Sequence, residues 1–180
     1  MSARVPPSTT RRWAIAALVV ITGVALDQVT KRLVEAKLRA LQTVGVIDGF
    51  FELRYSRNTG AFFSLGESVP DVPRRIGFIV LTIGAIGLMT HLYRKATESQ
   101  KILRWALVLL CTGAIGNLID RALYGEVIDF LHLHLREAFH WATFNVADIY
   151  IAAGLVLLIW DLMTAPRRKG APSQPDAAAS

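Results

Sequence analysis

Asp129 lies in Gly125-Glu-Val-Ile-Asp-Phe130 and Asp148 in Phe144-Asn-Val-Ala-Asp148, at the facing ends of two apolar stretches. A carboxylate beside hydrocarbon is costly unless it meets water, a partner or a polar cavity. Two acids brought in from both sides of one connection therefore point to a shared site. Close carboxylates do not both ionise comfortably, so a pair of this kind shares one proton. The ionised member then serves as base toward a water, while the protonated one polarises a peptide carbonyl. Such a pair titrates as a unit. For Asp148 alone a second reading is open, because Asn145 and Asp148 have the spacing of a helix capping box. That reading leaves Asp129 unexplained.

Other polar residues recur near the same apolar boundaries. Asp27 and Lys31 are spaced i,i+4, as a simple ion pair on one helix face or as a brace for an active-site wall. Asn117 shares a helix face with Asp120 in Gly113-Ala-Ile-Gly-Asn-Leu-Ile-Asp-Arg121, either as interhelical glue or as a polar wall for a substrate. Gly113 and Gly116 suit a close approach of backbones. Asn58-Thr59-Gly60 reads as a turn, with Asn58 also placed to position a substrate. His132 and His134 alternate on one strand, and a zinc site would need a third ligand, for which Asp129 is a candidate. Zincin, Ser–His, Ser–Lys and phosphate-loop patterns do not stand out. The single cysteine, Cys111, lies in an apolar run and reads as a packed small side chain.

These residues need elements to hold them. Of 180 residues, 53% are hydrophobic, and mean hydropathy is +0.40. That balance belongs to a small polytopic membrane protein. Apolar runs at about 13–33, 76–93, 102–120 and 144–163 reach the 17–25 residues of a helical span and lack the alternation of barrel strands. The first resembles a signal peptide but lacks a convincing cleavage site, so it reads as an uncleaved helix. The formal net charge of +6 sits in clusters beside apolar runs, which suggests anchoring at anionic phospholipids rather than nucleic-acid binding.

Four spans place both termini on one side. The two faces share the 20 basic residues equally, but the tight clusters Arg11-Arg12, Arg94-Lys95 and Arg167-Arg168-Lys169 favour cytoplasmic termini. Segments of about 34–75 and 121–143 then lie outside. Phe51, Leu53 and Tyr55 alternate with polar residues, and residues 127–135 alternate likewise, so the two segments are expected to pair into a small sheet. The predicted architecture is a polytopic α-helical membrane protein: four transmembrane helices with a small extracytoplasmic β-sheet. It forms one domain over residues 1–165, with a disordered cytoplasmic tail at 166–180.

Taken together, Asp27-Gln-Val-Thr-Lys31, Asn58-Thr-Gly-Ala61 with Phe63, Gly113–Arg121, Gly125–Phe130 and Phe144–Asp148 closely resemble the lipoprotein signal peptidases, or signal peptidase II. The resemblance implies an aspartic endopeptidase of the bacterial inner membrane, its site near the extracytoplasmic surface. Its substrates would be diacylglyceryl-modified prolipoproteins, cleaved on the N-terminal side of the lipidated cysteine. It also implies Asp129 and Asp148 as the catalytic pair, with Asn58, Asn117, Arg121 and Asn145 lining the pocket. Asp27, Lys31, Gly60 and Gly116 would support the site. No metal or cofactor is implied, globomycin would inhibit, and the chain would act as a monomer. Thr112, Phe62 and Ile149 depart from common family residues and bear on pocket shape. Two other classes fit paired acids in a small membrane protein: a proton-coupled transporter and a non-enzymatic assembly factor.

Overall fold

A computed structural model describes residues 9–60, 70–135 and 138–164. Phe62, Phe63 and the tail after residue 164 lie outside the described residues. Among those described, the order is α1 (Thr9–Leu38), β1 (Thr43–Ile47), β2 (Phe51–Asn58), α2 (Asp71–Lys95), α3 (Lys101–Tyr124), β3 (Val127–Leu135), β4 (Phe139–His140) and α4 (Val146–Thr164). All four helices are long and apolar enough to cross a membrane. Their side chains behave accordingly: Leu18, Ile21, Val80, Leu81 and Val156 are all more than 60% exposed. In water that display would be unstable; in lipid it is the outer surface of the bundle.

α3 is the central helix and packs against each of the other three. Its closest neighbour is α4, and small residues make the approach possible. A Cβ on Gly113 would lie 2.3 Å from the Ala147 carbonyl oxygen, and one on Gly116 would lie 2.7 Å from Asp27 Oδ2. α3 ends at Gly125, whose left-handed conformation (φ 81°) lets its N–H reach back to the Arg121 carbonyl. The chain turns there directly into β3.

The strands form one antiparallel sheet in the order β1-β2-β3-β4. The expected pairing of residues 51–58 with 127–135 is its centre. β1 and β4 were not foreseen, because β1 is short and exposed throughout and β4 has only two residues. α1 outlasts its apolar run, and its last turns carry the sheet. Val34 and Leu38 pack with Phe130 and the half-buried Leu53, Tyr55 and Leu131. Between Leu53 and Ser56 the β2–β3 register shifts, from Leu53 opposite Leu131 to Ser56 opposite Asp129. β2 thus carries one extra residue, a bulge.

Candidate active site

Three elements meet at the β3 end of α3. β3 supplies Asp129, the end of β2 supplies Asn58, and the start of α4 supplies Asn145 and Asp148. The helix start explains the last pair. Asn145 caps α4: its Oδ1 accepts the Asp148 N–H at 3.1 Å, and Asp148 Oδ2 accepts the Asn145 N–H at 3.0 Å. The capping box is therefore present, and it leaves the site role open. It fixes the Asp148 carboxylate in place while Asn145 keeps a free amide to donate elsewhere.

That amide donates to Asp129 Oδ1 at 2.6 Å and to Asn117 Oδ1 at 3.1 Å. Asn117 in turn donates its Nδ2 to Asp148 Oδ1 at 2.8 Å. Asn58 donates to the other oxygen of Asp129 at 2.9 Å, and its own Oδ1 accepts the Gly60 N–H at 3.0 Å. Asn58 can do this because of the bulge. It stands opposite Val127, one diagonal step from Asp129 on the same sheet face. Without the extra residue, Arg57 would occupy that register, since a shift of one exchanges the two faces.

Asp129 is 3% exposed, whereas Asp148 is half-buried. Burial, and then the charge of nearby Asp148, push the Asp129 carboxyl up to about 7, against the hydrogen bonds from Asn58 and Asn145 and the charge of Lys31. One buried carboxyl poised to keep its proton beside a more open one is an arrangement able to divide acid and base roles.

Behind this layer lies a buried ionic brace. Lys31, fully buried, stands 2.9 Å from both Asp27 Oδ2 and Asp120 Oδ2, and donates to Asn117 Oδ1 at 2.9 Å. Asp27 Oδ1 also accepts the Ala147 N–H at 2.9 Å, so an acid on α1 satisfies an unpaired donor in the first turn of α4. Arg32 binds Asp120 Oδ1 at 2.9 Å. The i,i+4 pair is thus present but belongs to a network across three helices. Gln28 was missed by sequence reasoning. It donates to Asp27, Asp120 and the Gly116 carbonyl, and its only signal was its place inside the Asp27–Lys31 motif. Arg121 lies over the Phe78 ring and donates to the Gly60 carbonyl at 3.2 Å, tying the β2 turn to α3.

The sequence-based zinc alternative does not match this geometry. His132 and His134 stack instead with His140, ring centroids 5.6–5.8 Å apart, and Glu52 lies near both at about 4 Å. Asp129 is turned away from them, toward Asn58 and Asn145. Among the described residues no three His, Cys, Asp or Glu side chains are placed to hold a metal ion. Burial and Arg54 push His132 below the ordinary histidine range.

A family model described as Signal peptidase (SPase) II matches residues 19–164. The lipoprotein signal peptidase of Geobacter sulfurreducens is 41% identical over 152 residues, covering 84% of this chain and 92% of the relative. That of Solibacter usitatus is 37% identical over 161 residues, covering 89% and 94%. A solved bacterial membrane enzyme superposes with a TM-score of 0.75 at 27% identity, covering 91% of this chain and 95% of its own.

Proposed function

The chain belongs to the signal peptidase II family, and from that premise we propose that Asp129 and Asp148 perform its proteolysis. It is an aspartic-type protease that cleaves lipoprotein signal peptides, a multi-pass protein of the bacterial inner membrane. The transporter and assembly-factor alternatives are not favoured.

One observation carries the assignment of the pair: a single residue, Asn145, is hydrogen-bonded to both acids. In the proposed cycle Asp129 enters protonated and Asp148 ionised. Asp148 takes a proton from a water whose oxygen attacks the scissile carbonyl carbon. Asp129 gives its proton to the carbonyl oxygen, and a tetrahedral diol forms. On collapse the C–N bond breaks. The amine leaves with the proton held on Asp148, and a diol hydroxyl returns a proton to Asp129. Asn58, Asn117 and Asn145 hold the carboxyls in register, and Arg121 with Gly60 holds the turn that would flank an extended peptide.

The substrate reading follows from the place of the site. A diacylglyceryl-modified cysteine and an apolar signal helix keep a prolipoprotein in the bilayer plane, which supplies much of the entropy of meeting. Hydrolysis needs water, so the bond must reach the membrane boundary. Both acids lie where helices give way to the sheet. With cytoplasmic termini, that boundary faces outward. The chain acts as a monomer among membrane phospholipids, and cleavage falls on the N-terminal side of the lipidated cysteine. The test is cleavage by the purified protein of a lipidated prolipoprotein beside its unlipidated precursor. Equal cleavage of both would remove the lipid requirement, and no cleavage of either would remove the proposed substrate.

A further inference from the structure

At the opposite end of the bundle from the acids, α1, the end of α2 and the start of α3 enclose a cleft of about 140 Å³. Two arginines reach into its lining, Arg12 from α1 and Arg104 from α3, each with a side chain only 13% exposed. Glu98, half exposed, lies between them, 3.4 Å from Arg12 and 3.0 Å from Arg104. Arg12 also donates to the Ala96 carbonyl at 3.1 Å and stands over the Tyr93 ring. Yet its Nε is buried with no hydrogen-bond partner among the described residues. Buried N–H groups on a cation are seldom left unmet, so this donor asks for an acceptor oxygen. The remaining walls are apolar: Ile15 and Trp105 continue the lipid-facing surfaces of α1 and α3, and Val108 closes the cleft from the core side.

We propose that this cleft binds an anionic phospholipid of the leaflet at the N-terminal end of the bundle. The headgroup phosphate is held by Arg12 and Arg104, and the first part of an acyl chain lies against Ile15, Trp105 and Val108. The commitment to a lipid comes from this pairing. Two guanidiniums against one carboxylate leave a net positive charge for an anion, and an apolar wall opening to the bilayer suits a chain attached to it. Glu98 is then a competitor for the phosphate as well as a clamp on the arginines. This site extends the reading above that phospholipids are partners of the chain, and it uses none of the residues assigned to proteolysis.

The test titrates the full-length protein in neutral detergent with dioctanoyl phosphatidylglycerol, dioctanoyl phosphatidylcholine or inorganic phosphate, with occupancy followed by native mass spectrometry. Phosphatidylglycerol is expected to bind about five-fold tighter than phosphatidylcholine, the value of one basic residue at an anionic surface. Arg104→Gln should erase that preference, and Glu98→Gln should strengthen it. Equal affinity for the two lipids overturns the proposal, as does a preference that neither substitution moves. Competition by inorganic phosphate at matched concentration assigns the cleft to soluble anions and overturns the lipid. Should Arg104→Gln fail to fold, Glu98→Gln alone still decides, because a mere clamp would not bind lipid more tightly after losing its carboxylate. Prolipoprotein cleavage measured on the same preparation separates this inference from the proposed function: turnover without lipid preference defeats only the cleft.

Discussion

The side-chain amide of Asn145 lies 2.6 Å from Asp129 Oδ1, while the same residue exchanges two hydrogen bonds with Asp148. A helix cap is thereby also the strut between two acids from different elements. The ordinary demand for a satisfied helix start and the placing of a reactive pair are met by one residue.

Neutralising either acid should end turnover. Asp129→Asn and Asp148→Asn are each expected to lower cleavage of a lipidated prolipoprotein by about 10³-fold or more, the scale of a lost acid–base group. Both should still accumulate in the membrane. Asp148→Asn should also cost about 1 kcal/mol of stability, through the weakened capping box. A purified variant turning over near the wild-type rate would remove the dyad.

The pH profile should report the buried carboxyl. Asp129 sits at about 7 in the fold against an ordinary value of 3.8. If its protonated form delivers the proton to the substrate, the rate falls as pH rises through about 7, approaching ten-fold per unit. Stability shifts in the same direction. Between 3.8 and about 7 the folded state holds more proton than the unfolded chain, so this group's contribution declines as pH rises across that window. A rate still climbing between pH 7 and 9 would reassign the proton.

Removing the cation of the brace should be severe. Lys31→Met leaves Asp27 and Asp120 buried without their shared partner. Loss of one member of a buried ionic set costs about 3–5 kcal/mol. Thermal unfolding in detergent should show a clearly lowered midpoint, and pairing the change with Asp120→Asn should recover part of it. An unchanged midpoint for Lys31→Met would show that the brace contributes little.

Chelation separates the acids from the histidines. EDTA is expected to leave the cleavage rate unchanged, as is replacement of His134 by Gln. An EDTA loss restored by zinc would move the chemistry to the cluster of His132, His134 and His140.

Much of this molecule was legible from one sequence. Length and hydropathy alone define four spans, since few other structures satisfy backbone polar groups in hydrocarbon. Alternation at Phe51–Tyr55 and at residues 127–135 announced the central strands. The acids drew attention because charge beside apolar runs is costly, and Asn145–Asp148 was readable as a cap because capping is local in sequence. The same local logic read Asp27–Lys31 as an i,i+4 pair, either a simple ion pair or a brace for the site wall, without its partners on α3.

What lay beyond the sequence was the detail of packing and register. Lys31 also meets Asp120 and Asn117 only because small residues on α3 let the helices close to contact. His140 joins His132 and His134 through a two-residue strand too short to carry a pattern. The choice of Asn58 over Arg57 beside Asp129 rests on one extra residue in β2. Hydropathy and capping act over a few neighbouring residues and are written in their order. A bulge, a helix crossing or a third ion partner arises between segments far apart in the chain, and only their mutual packing decides it.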